Sequence, residues 1–106
     1  MAQDKLTRAL SMIGLCKKAG RIAFGVPLVC EAVREGRAKL VIYASGASEN
    51  SVKRVCDKCR SYEVEVAPLD VSPDVLGKAI GKTSAVAAVG IIDKGFAEAI
   101  TKILNS

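Results

Sequence analysis

The sequence contains no histidine and no tryptophan. The lack of histidine excludes Ser-His-Asp and Cys-His catalytic arrangements and removes the commonest general base. The 11 acidic residues do not indicate a carboxylate-based active site instead, because they fall mainly at predicted helix starts or beside basic residues. We therefore expect this protein to bind a partner without enzymatic activity and without a cofactor.

Long apolar runs are also missing. Hydrophobic residues make up 50% of the chain, yet no uncharged apolar run approaches the roughly 18 residues that a membrane span needs. The first residues also lack the pattern of a signal peptide. These absences predict a cytoplasmic protein with no membrane partner.

Aromatic residues are scarce, and the full set is Phe24, Tyr43, Tyr62 and Phe96. All except Tyr62 fall at positions where the apolar pattern predicts the core. Proteins that bind single-stranded nucleic acid commonly stack bases on exposed aromatic rings. A stacking platform of that kind is therefore not expected.

Charge is plentiful and unevenly distributed. The 16 Lys and Arg residues outnumber the 11 Asp and Glu residues, which gives a net charge of +5. Residues 1–60 carry twelve basic and five acidic side chains, an excess of seven, whereas residues 61–106 carry four and six, a deficit of two. Such asymmetry favours a basic face that meets a polyanion, and nucleic acid is the commonest one.

Helical and strand periodicities alternate along the chain, which is typical of an α/β domain. The pattern predicts five helices and strands at residues 22–24, 39–44, 63–67 and 85–92. No linker or repeat interrupts it, so residues 1–106 are interpreted as a single domain. Because strands joined through helices need crossover connections, the sheet is expected to lie between helical layers.

Four cysteines offer a second possibility. Cys56 and Cys59 have the C-x-x-C spacing, and with Cys16 and Cys30 they provide enough thiols for a zinc site. However, the pair lies inside a predicted helix on its apolar stripe, and not at a helix N-terminus where the dipole lowers a thiol pKa. Buried, reduced thiols and no metal are the favoured interpretation, and a thiol-based zinc or redox protein is the alternative.

The segment from Gly77 to Thr83 ends in Gly-Lys-Thr, as a phosphate-binding P-loop does. Its two glycines are separated by three residues instead of four, and the segment closes a predicted helix instead of opening one. We interpret it as a helix end followed by a basic loop.

Two stretches have the composition of a surface that contacts folded RNA. In the first, basic residues precede Gly25 and the start of the second helix, whose free N–H groups and positive dipole end suit a phosphate. The second is the loop before the last strand, and its distance from the first depends on the strand order. The candidate RNA-binding residues are Lys17, Lys18, Arg21, Gly25, Val26, Pro27, Arg34, Lys82, Thr83 and Ser84.

Gly25 at the start of the second helix, residues 37–42, residues 76–81 and the last strand together resemble the kink-turn-binding ribosomal protein family. That family includes the archaeal large-subunit protein seven-Ae, the eukaryotic protein thirty-e and the Gadd proteins. The sequence is similar in particular to small bacterial members of the YlxQ type. The resemblance implies a three-layer α/β/α sandwich with a four-stranded mixed sheet, binding to sharply bent RNA and no enzymatic activity. We expect a monomer when the protein is free.

In that family the second helix enters the kinked RNA with a Gly-x-Asn-Glu-x-x-Lys pattern. Gly25 matches this pattern, whereas Pro27, Leu28 and Glu31 stand where Asn, Glu and Lys would be. The resemblance therefore implies binding of structured RNA, a kink-turn or ribosomal RNA, with specificity altered from the family pattern. The same replacements permit an alternative, a protein-interaction module that kept the fold and lost RNA binding.

Overall fold

A computed structural model describes residues 2–106, with side chains from Lys5 onward. The helices are α1 (Ala2–Lys18), α2 (Val26–Arg34), α3 (Glu49–Ser61), α4 (Pro73–Ala79) and α5 (Lys94–Leu104). The strands are β1 (Ile22–Phe24), β2 (Leu40–Ala44), β3 (Val66–Leu69) and β4 (Ala88–Ile91). The predicted α/β class is confirmed.

The four strands form one mixed sheet in the order β1-β4-β2-β3. β4 runs antiparallel to both of its neighbours, so that Val89 stands opposite Phe24 on one side and opposite Ile42 on the other. β2 and β3 are parallel, with Ile42 opposite Ala67. The last apolar run of the sequence is therefore an interior strand, as its composition predicts.

Apolar side chains on the two faces of the sheet form two separate cores, which confirms the three-layer α/β/α sandwich. On one face α1, α4 and α5 pack through side chains that include Ile13, Leu76 and Ile100. On the other face α2 and α3 pack through Val29, Val33, Val55 and Cys59. Between residues 2 and 106, none of the helices has the length and apolar composition that crossing a membrane requires.

The predicted bounds of the third strand are wrong, since β3 covers Val66–Leu69 and begins three residues after the predicted start of the segment 63–67. Glu63 has a φ of 56° and continues the turn that ends α3, and the N–H of Val64 donates to the carbonyl of Cys59. The strand then extends through Pro68, which lacks a backbone N–H. Proline is tolerated there because β3 is an edge strand with β2 as its one partner.

The last strand is shorter than predicted, since β4 covers Ala88–Ile91 instead of residues 85–92. Its expected first residues belong to the preceding loop, where the N–H of Val86 donates to the carbonyl of Pro73 at 2.9 Å. Apolar composition alone could not separate these residues from the strand, because Val86 is buried against α4 instead of within the sheet.

Three of the four cysteines are part of the two cores. Cys16, Cys30 and Cys59 are buried and Cys56 is half-buried. Burial raises the pKa of Cys16 to about 11, with a smaller contribution from Asp93, and burial likewise raises the pKa of Cys59 to about 11. Both thiols therefore stay protonated at neutral pH.

These raised thiol pKa values predict a loss of stability in alkali. The ordinary thiol pKa is 9.0, so above that pH the unfolded chain releases protons that the folded chain retains until about pH 11. We expect the free energy of unfolding, measured with urea, to decrease more steeply across this interval for the wild type than for Cys59→Ala. Equal slopes would show that the buried thiol does not carry the effect.

Candidate nucleic-acid interface

The strand order brings together the two stretches that the sequence separates by more than half of its length. Because β1 and β4 are antiparallel neighbours, the end of β1 lies beside the start of β4. The N–H of Gly25 donates to the carbonyl of Ala88 at 3.0 Å. The junction between β1 and α2 therefore adjoins the loop that leads into β4.

The Phe24 ring links this junction to the two basic segments. The Lys82 Nζ lies 4.8 Å from the centroid of the ring, and the Lys17 Nζ lies 5.9 Å from it. An ammonium group held over an aromatic face gains about 0.5–1 kcal/mol at exposed sites. A lysine at the end of α1 and a lysine in the loop before β4 thus both lie over the same aromatic ring.

Helix α2 begins beside this ring with its first amides uncapped. Gly25 adopts a φ of 89°, a conformation that favours glycine, and no side chain among residues 5–106 accepts a hydrogen bond from the first turn. The first turn also contains no acidic residue. By contrast, Ser48, Ser72 and Asp93 cap the starts of α3, α4 and α5 with their side chains. The N–H groups of Val26 and Leu28 are therefore available to an external acceptor.

The loop from Lys82 to Ala85 presents further backbone donors. The N–H of Lys82 donates to the carbonyl of Gly77 at 2.9 Å, which anchors the loop on α4. Within the described part of the chain, no group accepts a hydrogen bond from the N–H of residues 83–85. Lys82, Thr83 and Ser84 are all exposed. We call the set formed by Lys17, Phe24, residues 25–28 and residues 82–85 the Phe24 surface.

Three predicted residues are not part of the Phe24 surface. Lys18 is exposed and lines a groove between α1 and α4. Arg21 lies at the opposite end of β1 from Gly25, with its Nε 4.0 Å from the Asp93 carboxylate. Arg34 lies in the last turn of α2 and lines a separate groove between α2 and α3.

Sequence reasoning missed the lysines over Phe24 and the basic neighbours of Arg34. Phe24 packs against the core, as expected, but it is only half-buried and its ring also meets the two ammonium groups. Arg54 and Lys58 from α3 line the same groove as Arg34. The one signal in the sequence for this basic cluster was the spacing of four residues between Arg54 and Lys58, since this spacing places both side chains on one face of a helix.

The thiol alternative gains no support from the geometry. Among residues 5–106, no group of three or more Cys, His, Asp or Glu side chains could hold a metal ion. Cys56 and Cys59 lie in the C-terminal half of α3, away from its N-terminus, and Cys59 is buried with its pKa raised by that burial. A reactive thiolate requires the opposite shift.

Comparison with known proteins gives both sequence and structural relatives. Residues 7–101 match the profile of the ribosomal protein L7Ae/L30e/S12e/Gadd45 family. The RNA-binding protein YlxQ of Bacillus subtilis is 38% identical over 94 residues, which cover 89% of this chain and 92% of that protein. The large ribosomal subunit protein eL30 of Methanothrix thermoacetophila is 38% identical over 81 residues, which cover 76% and 75% respectively.

The solved structure of a Bacillus halodurans protein of unknown function superimposes on this chain with a TM-score of 0.85 at 33% sequence identity. The superposition covers 92% of this chain and 97% of that one. The similarity therefore extends through the whole arrangement of sheet and helices.

Gly77 provides a test of how the loop before β4 is held. A Cβ atom at this position would overlap the carbonyl oxygen of Ser84, so Gly77→Ala must displace the loop backbone or α4. We expect a loss of about 1–3 kcal/mol in the free energy of unfolding, although alanine is the better helix former. The neighbouring exposed change Lys78→Ala serves as the control and should leave stability nearly unchanged. A Gly77→Ala protein as stable as the wild type would contradict the close approach.

Proposed function

The chain belongs to the ribosomal protein L7Ae/L30e/S12e/Gadd45 family, and we propose that it binds structured RNA through the Phe24 surface without catalysing a reaction. The resemblance in the sequence is thereby confirmed at the level of the family. The observation that carries the proposal is the convergence of Lys17 and Lys82 on the Phe24 ring, beside the uncapped start of α2.

The chemistry of the Phe24 surface suits the backbone of a folded RNA. Two ammonium groups from different elements offer separate charge-assisted contacts to phosphate oxygens. The amides of Val26, Leu28 and residues 83–85 offer neutral donors whose positions are fixed by α2 and by the loop. Phosphate contacts of this kind set the register and orientation of a nucleic acid but read little of its sequence.

The start of α2 supports a specificity that differs from the family pattern. Pro27 and Leu28 are exposed, and neither side chain has a hydrogen-bond donor or acceptor. Glu31 is exposed one turn further along, where a carboxylate repels phosphates. A good bidentate contact to a base contributes about 1–3 kcal/mol of discrimination, and neither Pro27 nor Leu28 can make one. The proposed recognition therefore relies on RNA shape and phosphate positions.

Ribosomal RNA is the partner class that we propose within structured RNA. The support is the similarity to a protein named as a component of the large ribosomal subunit. We propose a kink-turn as the RNA shape that is bound, because its sharp bend brings phosphates of two helical stems close together. We propose that the free protein is a monomer that meets this RNA in the cytoplasm.

Replacement of the two lysines on Phe24 tests the proposed surface. We expect Lys17→Gln combined with Lys82→Gln to weaken binding to a kink-turn hairpin by roughly tenfold or more at moderate salt. The slope of log affinity against log salt should fall by about 1.8, since each phosphate contact to a duplex contributes about 0.9. Fluorescence anisotropy at several salt concentrations measures both quantities.

The matched control is Lys94→Gln combined with Lys102→Gln, which removes the same charge from exposed positions on α5. This control should keep the affinity and the salt slope of the wild type. Equal losses in both double variants would show that net charge, and not the Phe24 surface, drives binding. No binding of the wild type to any structured RNA would favour the protein-interaction alternative.

Restoring the family side chains tests the proposed change in specificity. We expect Pro27→Asn, Leu28→Glu and Glu31→Lys together to increase the preference for the kink-turn over a straight duplex of equal length. The increase should be about tenfold or more, because new base contacts discriminate whereas phosphate contacts do not. An unchanged ratio of the two dissociation constants would contradict the role assigned to these positions.

A further inference from the structure

A groove of about 930 Å³ separates α1 from α4 on the face beside the loop that precedes β4. The two helices approach closely at Gly14, where a Cβ atom would lie 2.8 Å from the carbonyl oxygen of Ala79. Leu15 and Val75 line the groove and are 50% and 40% exposed. They are two of the four large hydrophobic side chains that are exposed in the described part of the chain.

Among the residues that the structure describes, the charged side chains that line this groove are all positive. Lys17 and Lys18 lie in the last turn of α1, and Lys78 lies in the last turn of α4. From Lys5 onward, no carboxylate is among the residues lining the groove. The groove thus combines an apolar patch with three cations, which fits an anionic chain that also has apolar faces.

The groove is continuous with the Phe24 surface. Lys17 belongs to both, since it lines the groove and its Nζ also lies over the Phe24 ring. Gly81 closes the end of the groove and is followed directly by Lys82. An RNA strand that leaves the Phe24 surface along the loop would therefore enter the groove directly.

We propose that the groove between α1 and α4 binds unpaired nucleotides that flank the structured RNA held at the Phe24 surface. This proposal rests on the proposed function. Lys18 and Lys78 contact phosphates, and the apolar side chains of Leu15 and Val75 pack against a base or a ribose. In the described part of the chain, the uncharged polar side chains that line the groove are those of Thr7 and Ser11. The groove consequently discriminates little between bases, because base readout depends on side-chain hydrogen bonds.

Continuity favours RNA over an acidic peptide as the occupant. A peptide partner would need its own acidic segment beside an RNA-binding surface whose lysines already attract phosphates. A flanking nucleotide needs no second recognition event, since the structured part of the same molecule is already bound and raises its local concentration.

The experiment compares a kink-turn hairpin with the same hairpin carrying a short single-stranded oligouridine tail at either end. We expect one of the tails to increase the affinity of the wild type by roughly tenfold, as one or two added charge-assisted contacts would. The variant with Leu15→Ser, Val75→Ser and Lys78→Gln should bind the untailed hairpin as the wild type does and gain nothing from the tail. These changes lie at exposed positions, so the cores stay intact.

The control with Lys94→Gln and Lys102→Gln should keep the full gain from the tail. A photoactivatable thiouridine in the tail should cross-link to residues 7–18 or 75–81 of the wild type. If the untailed hairpin binds and neither tail adds affinity, the groove proposal is overturned while the proposed function stands. Competition by an acidic amphipathic peptide without any tail effect would likewise overturn it and assign the groove to a protein partner. Failure of every hairpin to bind would overturn the proposed function and the groove proposal together.

Discussion

Backbone hydrogen bonds hold β4 between β1 and β2, with Val89 opposite Phe24 in one strand and Ile42 in the other. This pairing completes the four-stranded sheet. Helices α1, α4 and α5 pack on one face of the sheet, and α2 and α3 pack on the other. Because β4 is antiparallel to β1, the start of β4 lies beside the end of β1. The position of the Phe24 surface follows directly from that direction, since a parallel β4 would carry the preceding loop to the opposite end of the strands.

Close approaches at two glycines set the position of α4 within this frame. Gly77 lets the backbone of Ser84 pass directly over α4, and Gly14 lets α1 approach the carbonyl of Ala79. The first contact holds the loop that carries Lys82, and the second forms the base of the groove that Leu15 and Val75 line. Small residues at two packing points therefore shape two neighbouring parts of one basic surface.

Some apolar and ionisable side chains lie where their chemical type alone would not place them. Phe24 is an apolar residue that supports two cations at the surface, whereas Cys16 and Cys59 carry ionisable groups and are packed within the cores. The energetic reasons are complementary. An aromatic face attracts an ammonium group through its quadrupole, while burial penalises a thiolate and keeps the thiol neutral.

Local sequence determined which helices and strands form and their order, although not the bounds of β3 and β4. Apolar periodicity fixed the five helices, the capping residues Ser72 and Asp93 fixed where two of them begin, and composition identified β4 as an interior strand. The departure from the family pattern at Pro27, Leu28 and Glu31 can also be read from the sequence. Tertiary structure decided which loops meet, because strand order depends on long-range pairing that no local pattern encodes. It also brought Arg21 to Asp93 and brought Lys17 and Lys82 to the same Phe24 ring, because these residues come from segments that meet only when β4 pairs with β1.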